Sequence, residues 1–169
     1  MTGIIGAVSE LLHGLPPLVG AHPTVLVLGN MPSVLSLAHD RYYGNPRNAF
    51  WRICGQIYGF DADAPYAQRA AALTGHGVAV WDVLRSCRRV GSLDSAVQPD
   101  SMVANDIVGF LAEHPGIGLL AFNGAAAARN HRRLIRDPPD LPTVLLPSTS
   151  PAHTMAFADK LRCWRAALG

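Results

Sequence analysis

Residues 24–33 read TVLVLGNMPS, a threonine and four aliphatic residues followed by a loop of small and polar ones. Three further apolar runs, at residues 77–81, 118–122 and 143–146, have the same form. None of the four alternates between apolar and polar side chains, which is typical of strands buried on both faces of a parallel sheet. Helical patterns separate the runs. The sequence therefore predicts an α/β fold, a three-layer α/β/α sandwich around a four-stranded parallel sheet.

The helical patterns cover most of the remaining chain. The predicted helices are residues 4–12, 48–58, 66–73, 101–113, 124–135 and 155–168. We find no internal repeat, low-complexity tract or linker that would divide the 169 residues. Because this length suits one ordinary domain, the whole chain, 1–169, is predicted to form a single domain.

The composition narrows the possible functions. Apolar residues make up 49% of the chain and charged residues 15%, which excludes wholesale disorder. The net charge of +2 alone argues against a polybasic nucleic-acid protein. However, 13 of the 14 basic residues are arginine, the side chain suited to bidentate phosphate contacts. Seven of them lie between residues 85 and 136, against four acids. Since phosphate contacts depend on local charge, a DNA partner stays possible.

Cysteine usage and hydropathy give further expectations. Cys54, Cys87 and Cys163 are widely separated, so neither a disulfide framework nor a cysteine-bound metal or iron–sulfur cluster is predicted. The first 20 residues lack the pattern of a signal peptide, and no apolar run reaches 18 residues. We therefore expect a cytoplasmic monomer without metal, cofactor or membrane contact.

Small and polar residues follow each predicted strand, in residues 29–33, 82–86, 123–124 and 147–153. In an open parallel sheet these segments meet at one edge, where ligands bind. The signatures of P-loop, dinucleotide-binding, α/β-hydrolase and HExxH zinc sites are missing from the sequence. The candidate site must therefore be read from these four segments.

Two stretches resemble a known family. Residues 25–33, VLVLGNMPS, and 42–51, YYGNPRNAFW, are similar to the first motif region of the uracil-DNA glycosylase superfamily, and resemble most its hypoxanthine-DNA (deoxyinosine) glycosylase family, family six. Residues 77–94, 122–124, 146–152 and Trp164 agree with it in order and separation. The resemblance implies a uracil-DNA glycosylase-like fold and a DNA repair enzyme that flips out a deaminated base, uracil or hypoxanthine, and hydrolyses its glycosidic bond, leaving an abasic site. It also implies action at the nucleoid of a bacterial-type cell.

The resemblance implies a base pocket. Tyr43 stands at the position of the stacking aromatic, with Tyr42 as the alternative, and stacking is worth ~1–3 kcal/mol per base. Asp82 stands where many relatives carry a base-reading asparagine. An ionised carboxylate would accept a ring N–H, whereas burial would let a protonated carboxyl donate to a carbonyl. Capping of the following turn is the other interpretation of Asp82. The further base-binding candidates are Gly29, Asn30, Met31, Asn123 and Ser148, and Asn123 has an alternative as a helix cap.

The catalytic group departs from the superfamily pattern. Met31 stands where relatives usually carry a water-activating Asp or Asn, and a thioether cannot take that role. In family six the role is attributed to a later asparagine, which Asn48 matches. Its carboxamide could position water and face the developing oxocarbenium, or it could be an ordinary helix cap. Asp82 is the second catalytic candidate and Asp40 a weaker one.

Residues 147–153 resemble the superfamily's minor-groove intercalation loop. Ala152 falls at the wedge position but is small, so His153 and Met155 are alternatives. The predicted DNA-contacting residues are Pro32, Ser33, Arg47, Ser150, Pro151, Ala152 and His153. Since the only lysine, Lys160, follows this loop on the last helix, a Schiff-base lyase step is not expected, and the enzyme is predicted to be monofunctional.

Two other function classes stay open. A nucleoside or nucleotide hydrolase of the same fold would cleave free deoxyuridine or deoxyinosine. A non-catalytic nucleic-acid-binding module is permitted by the loss of the usual catalytic residue at Met31.

Overall fold

The predicted strands form one parallel sheet in the computed structural model, which describes residues 9–169. The strands are β1 (Leu11–His13), β2 (Val25–Gly29), β3 (Val78–Asp82), β4 (Leu84–Arg88), β5 (Val103–Ala104), β6 (Leu119–Asn123) and β7 (Thr143–Leu146). The helices are α1 (Val34–His39), α2 (Phe50–Tyr58), α3 (Tyr66–Gly75), α4 (Ile107–Glu113), α5 (Ala125–Leu134) and α6 (Phe157–Leu168). Two short 3-10 helices, Asp94–Ala96 and Pro99–Ser101, connect β4 to β5.

The parallel sheet has the strand order β3-β2-β6-β7. Val25 of β2 pairs with Val78 on one side and with Leu119 on the other. Every residue of β2 is buried, as its unbroken apolar sequence predicts for a central strand. Because the strands are parallel, the carboxyl ends of β2, β3 and β6 lie at the same edge of the sheet.

Helices cover both faces of this sheet. One core cluster joins it to α2, α3 and α6 through residues such as Phe50, Leu73 and Trp164. The other joins its opposite face to α4 and α5 through residues such as Phe110 and Ala127. The predicted three-layer α/β/α sandwich with a four-stranded parallel sheet is therefore confirmed. The expectation of a single domain over 1–169 stays a prediction.

A second, antiparallel sheet of order β1-β4-β5 was not predicted. It corrects the helix expected at residues 4–12: Leu11 and Leu12 belong to β1 and pair with β4, while residues 4–8 lie outside the described part. The helix expected at 101–113 is also too long. Residues 103–104 pair with β4, and the helix begins only at Ile107 because the Asp106 side chain accepts the N–H of Gly109 at 2.9 Å.

Helix α1 was likewise not predicted. It is short, and its start is fixed by Ser33, whose hydroxyl accepts the N–H of Ser36 at 3.2 Å. Within residues 9–169 no helix is long and apolar enough to cross a membrane.

Candidate active site

A cavity of about 360 Å³ opens at the carboxyl edge of the parallel sheet. Thirteen of the fifteen site residues predicted from the sequence line it. They are Gly29, Asn30, Met31, Pro32, Ser33, Tyr43, Asn48, Asp82, Asn123, Ser148, Ser150, Ala152 and His153. The fold thus brings together residues that lie more than 120 positions apart in sequence. Their individual roles stay predictions.

Two predicted DNA contacts, Arg47 and Pro151, do not line the cavity. Arg47 is exposed, and its backbone N–H donates to the Asn45 side chain at 3.0 Å. Pro151 is half-buried in the loop that follows β7. If either residue contacts DNA, it does so outside the pocket.

Asp82, the last residue of β3, is a buried carboxyl in the pocket wall. It is only 4% exposed, and its side chain makes no hydrogen bond with the described residues. Its backbone carbonyl accepts from the Asn105 side chain at 2.8 Å. The turn-capping interpretation is therefore wrong. Burial, followed by the nearby charge of Asp94, raises the pKa of Asp82 to about 7 against the opposing effect of Arg89. Near neutral pH the carboxyl can therefore accept or donate a hydrogen bond.

Gly29 leaves the space into which Asp82 and Tyr43 project. A Cβ at this position would lie 2.5 Å from Asp82 Oδ1 and 3.1 Å from the Tyr43 hydroxyl. Both polar groups therefore converge on the end of β2. A glycine is required there by close approach and not by its backbone conformation.

Tyr43 has a left-handed backbone, with φ of 53°, which is uncommon for a residue with a side chain. Its ring stacks on Phe50 with centroids 4.0 Å apart, and its hydroxyl is buried without a hydrogen-bond partner among the described residues. Burial, and then the Asp82 charge, raise its pKa, so the hydroxyl stays protonated. The Tyr42 hydroxyl instead donates to the Pro16 carbonyl at 2.7 Å, which ties that ring to the core. Of the pair, Tyr43 is the ring whose hydroxyl makes no hydrogen bond with the described residues.

Asn30 is fixed by a chain of side-chain hydrogen bonds. Its Oδ1 accepts from Asn130 of α5 at 2.7 Å, and its Nδ2 donates to Asp94 at 3.0 Å. These two bonds determine which way the amide faces. The chain also ties the loop after β2 to the Asp94–Ala96 turn.

Asn123 holds the loop of residues 147–153 in place. Its Nδ2 donates to the Thr149 hydroxyl and its Oδ1 accepts the Thr149 N–H, both at 3.0 Å. The side chain therefore does not cap α5, as the alternative interpretation required. From α6, the Trp164 indole donates to the Pro147 carbonyl at 2.9 Å and the Lys160 ammonium to the Ser150 carbonyl at 3.1 Å. Polar contacts from two elements thus fix this loop before any ligand binds.

The Asn48 side chain bonds to the start of a helix and also lines the cavity. Its Oδ1 accepts the N–H of Phe50 at 2.9 Å, at the first residue of α2. The N-cap position of α2 is Ala49, whose methyl group cannot accept a hydrogen bond, and Asn48 caps the helix from the position before it. The same side chain lines the cavity, and its amide N–H groups bond to none of the described residues. A capping bond that fixes the carboxamide is compatible with its positioning a water.

Sequence reasoning missed a complete wall of the pocket. Residues Ser92, Leu93, Asp94 and Ser95 line it, coming from the loop after β4. They reach the site through the antiparallel sheet, so no local pattern marks them. The other lining residues not predicted are Ser36, Asn45, Ala125, Ala126 and Thr149, and Tyr42, the alternative stacking aromatic, also lines the pocket. No group of three His, Cys, Asp or Glu side chains within residues 9–169 could hold a metal ion.

Comparison with known proteins identifies the family. The sequence model of the Uracil DNA glycosylase superfamily matches residues 16–168. The chain belongs to this superfamily. A "Hypoxanthine DNA glycosylase" from Methanosarcina acetivorans is 32% identical over 155 residues, which are 91% of this chain and 96% of the relative. Another with the same name, from Methanosarcina barkeri, is 33% identical over 113 residues, covering 66% of this chain and 70% of the relative.

A solved structure of a superfamily member supports the same assignment. The solution NMR structure of a candidate uracil DNA glycosylase from Methanosarcina acetivorans superposes with a TM-score of 0.77 at 30% identity. The match covers 93% of this chain and 98% of the other. The predicted superfamily, its fold and its function class, a DNA N-glycosylase for deaminated bases, are confirmed. The comparisons favour this class over a nucleoside hydrolase or a non-catalytic binding module.

Proposed function

We propose that this superfamily member takes a hypoxanthine or uracil nucleotide out of DNA into the described cavity and hydrolyses its glycosidic bond. The observation that carries the proposal is the Asp82 carboxyl, buried in the pocket wall without a hydrogen-bond partner. A buried polar group without a partner is costly to the fold, and a ligand that pairs with it recovers that cost. The names of the two Methanosarcina relatives favour hypoxanthine as the base.

Asp82 is suited to the chemical edge that deamination creates. Hypoxanthine and uracil each present a ring N–H beside a carbonyl, whereas adenine and cytosine present a ring nitrogen lone pair beside an amino group. An ionised carboxylate accepts the N–H but faces an acceptor in the parent base. A protonated carboxyl can instead donate to the carbonyl. Tyr43, stacked on Phe50, provides an aromatic surface for the base.

Hydrolysis requires a positioned water and stabilisation of a sugar that becomes positively charged. Asn48 is the candidate for the first task, because its capping bond fixes the carboxamide at the cavity wall. When ionised, Asp82 is a candidate for the second task, since a buried negative charge stabilises an oxocarbenium more than an exposed one does. Met31 lines the same wall but cannot bind water through its thioether.

The DNA strand would run across the rim formed by the residues after β2 and β7. Backbone N–H or hydroxyl groups of Ser33 and Ser150 suit contacts to phosphate, whereas Ser148 stays a candidate for contact with the base. We propose that the protein acts in the cytoplasm, since its three cysteines are free thiols, and that it acts as a monomer.

A glycosylase assay tests this proposal. Single- and double-stranded oligonucleotides carrying one hypoxanthine, uracil or xanthine are incubated with the protein, and abasic sites are then cleaved with alkali. We expect alkali-dependent cleavage at the modified position and the release of free base. Binding without product from any substrate would overturn the proposal in favour of a binding module. Cleavage of free deoxyinosine as fast as of the oligonucleotide would favour the nucleoside hydrolase.

A further inference from the structure

Ala152 lines the pocket but carries only a methyl group. Proteins that separate stacked bases usually insert a larger apolar side chain. Of the two alternatives predicted beside it, Met155 lies outside the pocket lining and His153 carries a polar ring. The loop of residues 147–153 therefore offers no large apolar side chain at the mouth of the pocket.

The segment that follows β4 does offer one. Leu93 lines the pocket and is 55% exposed, in the segment that connects β4 to the Asp94–Ala96 turn. Val34, 51% exposed at the start of α1, lies beside the same segment because its N–H donates to the Ser92 hydroxyl at 3.0 Å. Exposure of a leucine side chain to water at a pocket mouth costs free energy, and covering it with an apolar partner recovers that free energy.

The segment around Leu93 is held in a fixed position. The Arg89 guanidinium is buried and donates to the carbonyls of Gly91 and Pro32, each at 2.7 Å. These bonds join the segment around Leu93 to the loop after β2. Arg89 is therefore not one of the arginines that could contact phosphate. On the other side of Leu93, the Asp94 carboxylate accepts from Asn30 at 3.0 Å. Leu93 thus stands on a segment tied at both ends, so little conformational freedom is lost when it inserts.

We propose that Leu93 is the wedge that enters the base stack of duplex DNA at the position vacated by the flipped nucleotide. The inference rests on the proposed glycosylase function. The gap left by an extruded base is bounded by the apolar faces of its neighbours, which a leucine side chain fills well. The partner is duplex DNA, because only a stacked duplex resists extrusion strongly enough to need a wedge.

The test compares single-turnover excision from duplex and from single-stranded DNA with the same lesion. Leu93→Ala should lower the duplex rate by about tenfold or more and the single-strand rate by less than about twofold, since only the duplex must be unstacked. Leu93→Met, which keeps an apolar side chain of similar length, should restore most of the duplex rate. Leu145→Ala is the matched control, because Leu145 is 59% exposed on β7 and outside the pocket lining. It should leave both rates unchanged.

Two results would overturn the wedge. One is an unchanged duplex rate in Leu93→Ala, and the other is an equal loss on both substrates, which would place Leu93 in base binding. A wild-type protein inactive on both substrates would instead overturn the proposed function. A 2-aminopurine beside the lesion reports unstacking without chemistry. The 2-aminopurine fluorescence should increase on binding of the wild type and of Leu145→Ala but not of Leu93→Ala. No increase with the wild type would refute the wedge.

Discussion

Replacing Asp82 by asparagine should stabilise the protein in a pH-dependent manner. The carboxyl has a pKa of about 7 in the fold, against 3.8 for an ordinary aspartate, chiefly because it is buried. The folded chain therefore keeps this proton at pH values where the unfolded chain has lost it. The resulting penalty on stability is absent well below pH ~4, grows as the pH rises, and is complete above about pH 7.

The penalty can be estimated from the two pKa values. At about 1.4 kcal/mol for each pH unit, the ionised carboxyl costs the fold up to about 4 kcal/mol. Asparagine has nearly the same shape and no charge, so it does not carry this cost. Between about pH 5 and pH 8.5 the stability advantage of Asp82→Asn should grow by about 2.5 kcal/mol.

Urea unfolding of both proteins, followed by tryptophan fluorescence at constant ionic strength, measures this advantage. All other titrating groups are common to the two chains, so their contributions largely cancel in the difference. An advantage that stays constant, or that shrinks as the pH rises, would refute the assignment of Asp82 as a buried carboxyl without a partner.

Three further changes test the pocket. Asn48→Ser keeps an acceptor for the helix N–H but loses the carboxamide. The unfolding free energy should therefore change by less than about 1 kcal/mol, while the single-turnover excision rate falls about 100-fold. An unchanged excision rate would show that Asn48 only caps the helix. Gly29→Ala places a Cβ 2.5 Å from the Asp82 carboxyl and should abolish excision, with about 1–3 kcal/mol lost in urea unfolding. Gly118→Ala is the control, because its Cβ would meet nothing within 4 Å, and it should keep both the excision rate and the unfolding free energy. Equal losses in Gly29→Ala and Gly118→Ala would contradict the predicted clash with Asp82. Lys160→Met keeps the buried apolar stem of the side chain but loses the hydrogen bond to the backbone of the loop 147–153. The KM for duplex DNA should therefore rise about threefold to tenfold, with kcat less affected. A lower unfolding free energy with an unchanged KM would show that Lys160 has a structural role only.

The parallel sheet could be predicted from the sequence because its strands are buried on both faces. Each strand is therefore an unbroken apolar run that can be identified without knowing its neighbours in the sheet. The strand Thr143–Leu146 was predicted to the residue, and the other three within one residue at each end. The antiparallel sheet could not be predicted in this way. In β4, Arg85 is exposed while Ser86 and Cys87 are both buried, so no alternation appears, and its partner β1 lies more than 70 positions away.

The same distinction applies to the pocket. Residues at the carboxyl ends of strands, such as Asp82 and Asn123, follow from the topology rule for parallel sheets. Leu93 and Asp94 reach the pocket only through the second sheet, so they were missed. The hydrogen bond from Asn130 to Asn30 joins residues 100 positions apart, and nothing within α5 indicates it. Long-range contacts of this kind determine how the site is fixed, and local sequence patterns do not record them.

The central claim is that the pocket around Asp82 removes a deaminated base from DNA by hydrolysis alone. Incubation of the wild-type protein with a hypoxanthine-containing duplex, followed by mass spectrometry of base and strand, tests it most directly. The account predicts free hypoxanthine and an intact strand that carries an abasic site and breaks only in alkali. Absence of free base, with the strand unchanged, would contradict it.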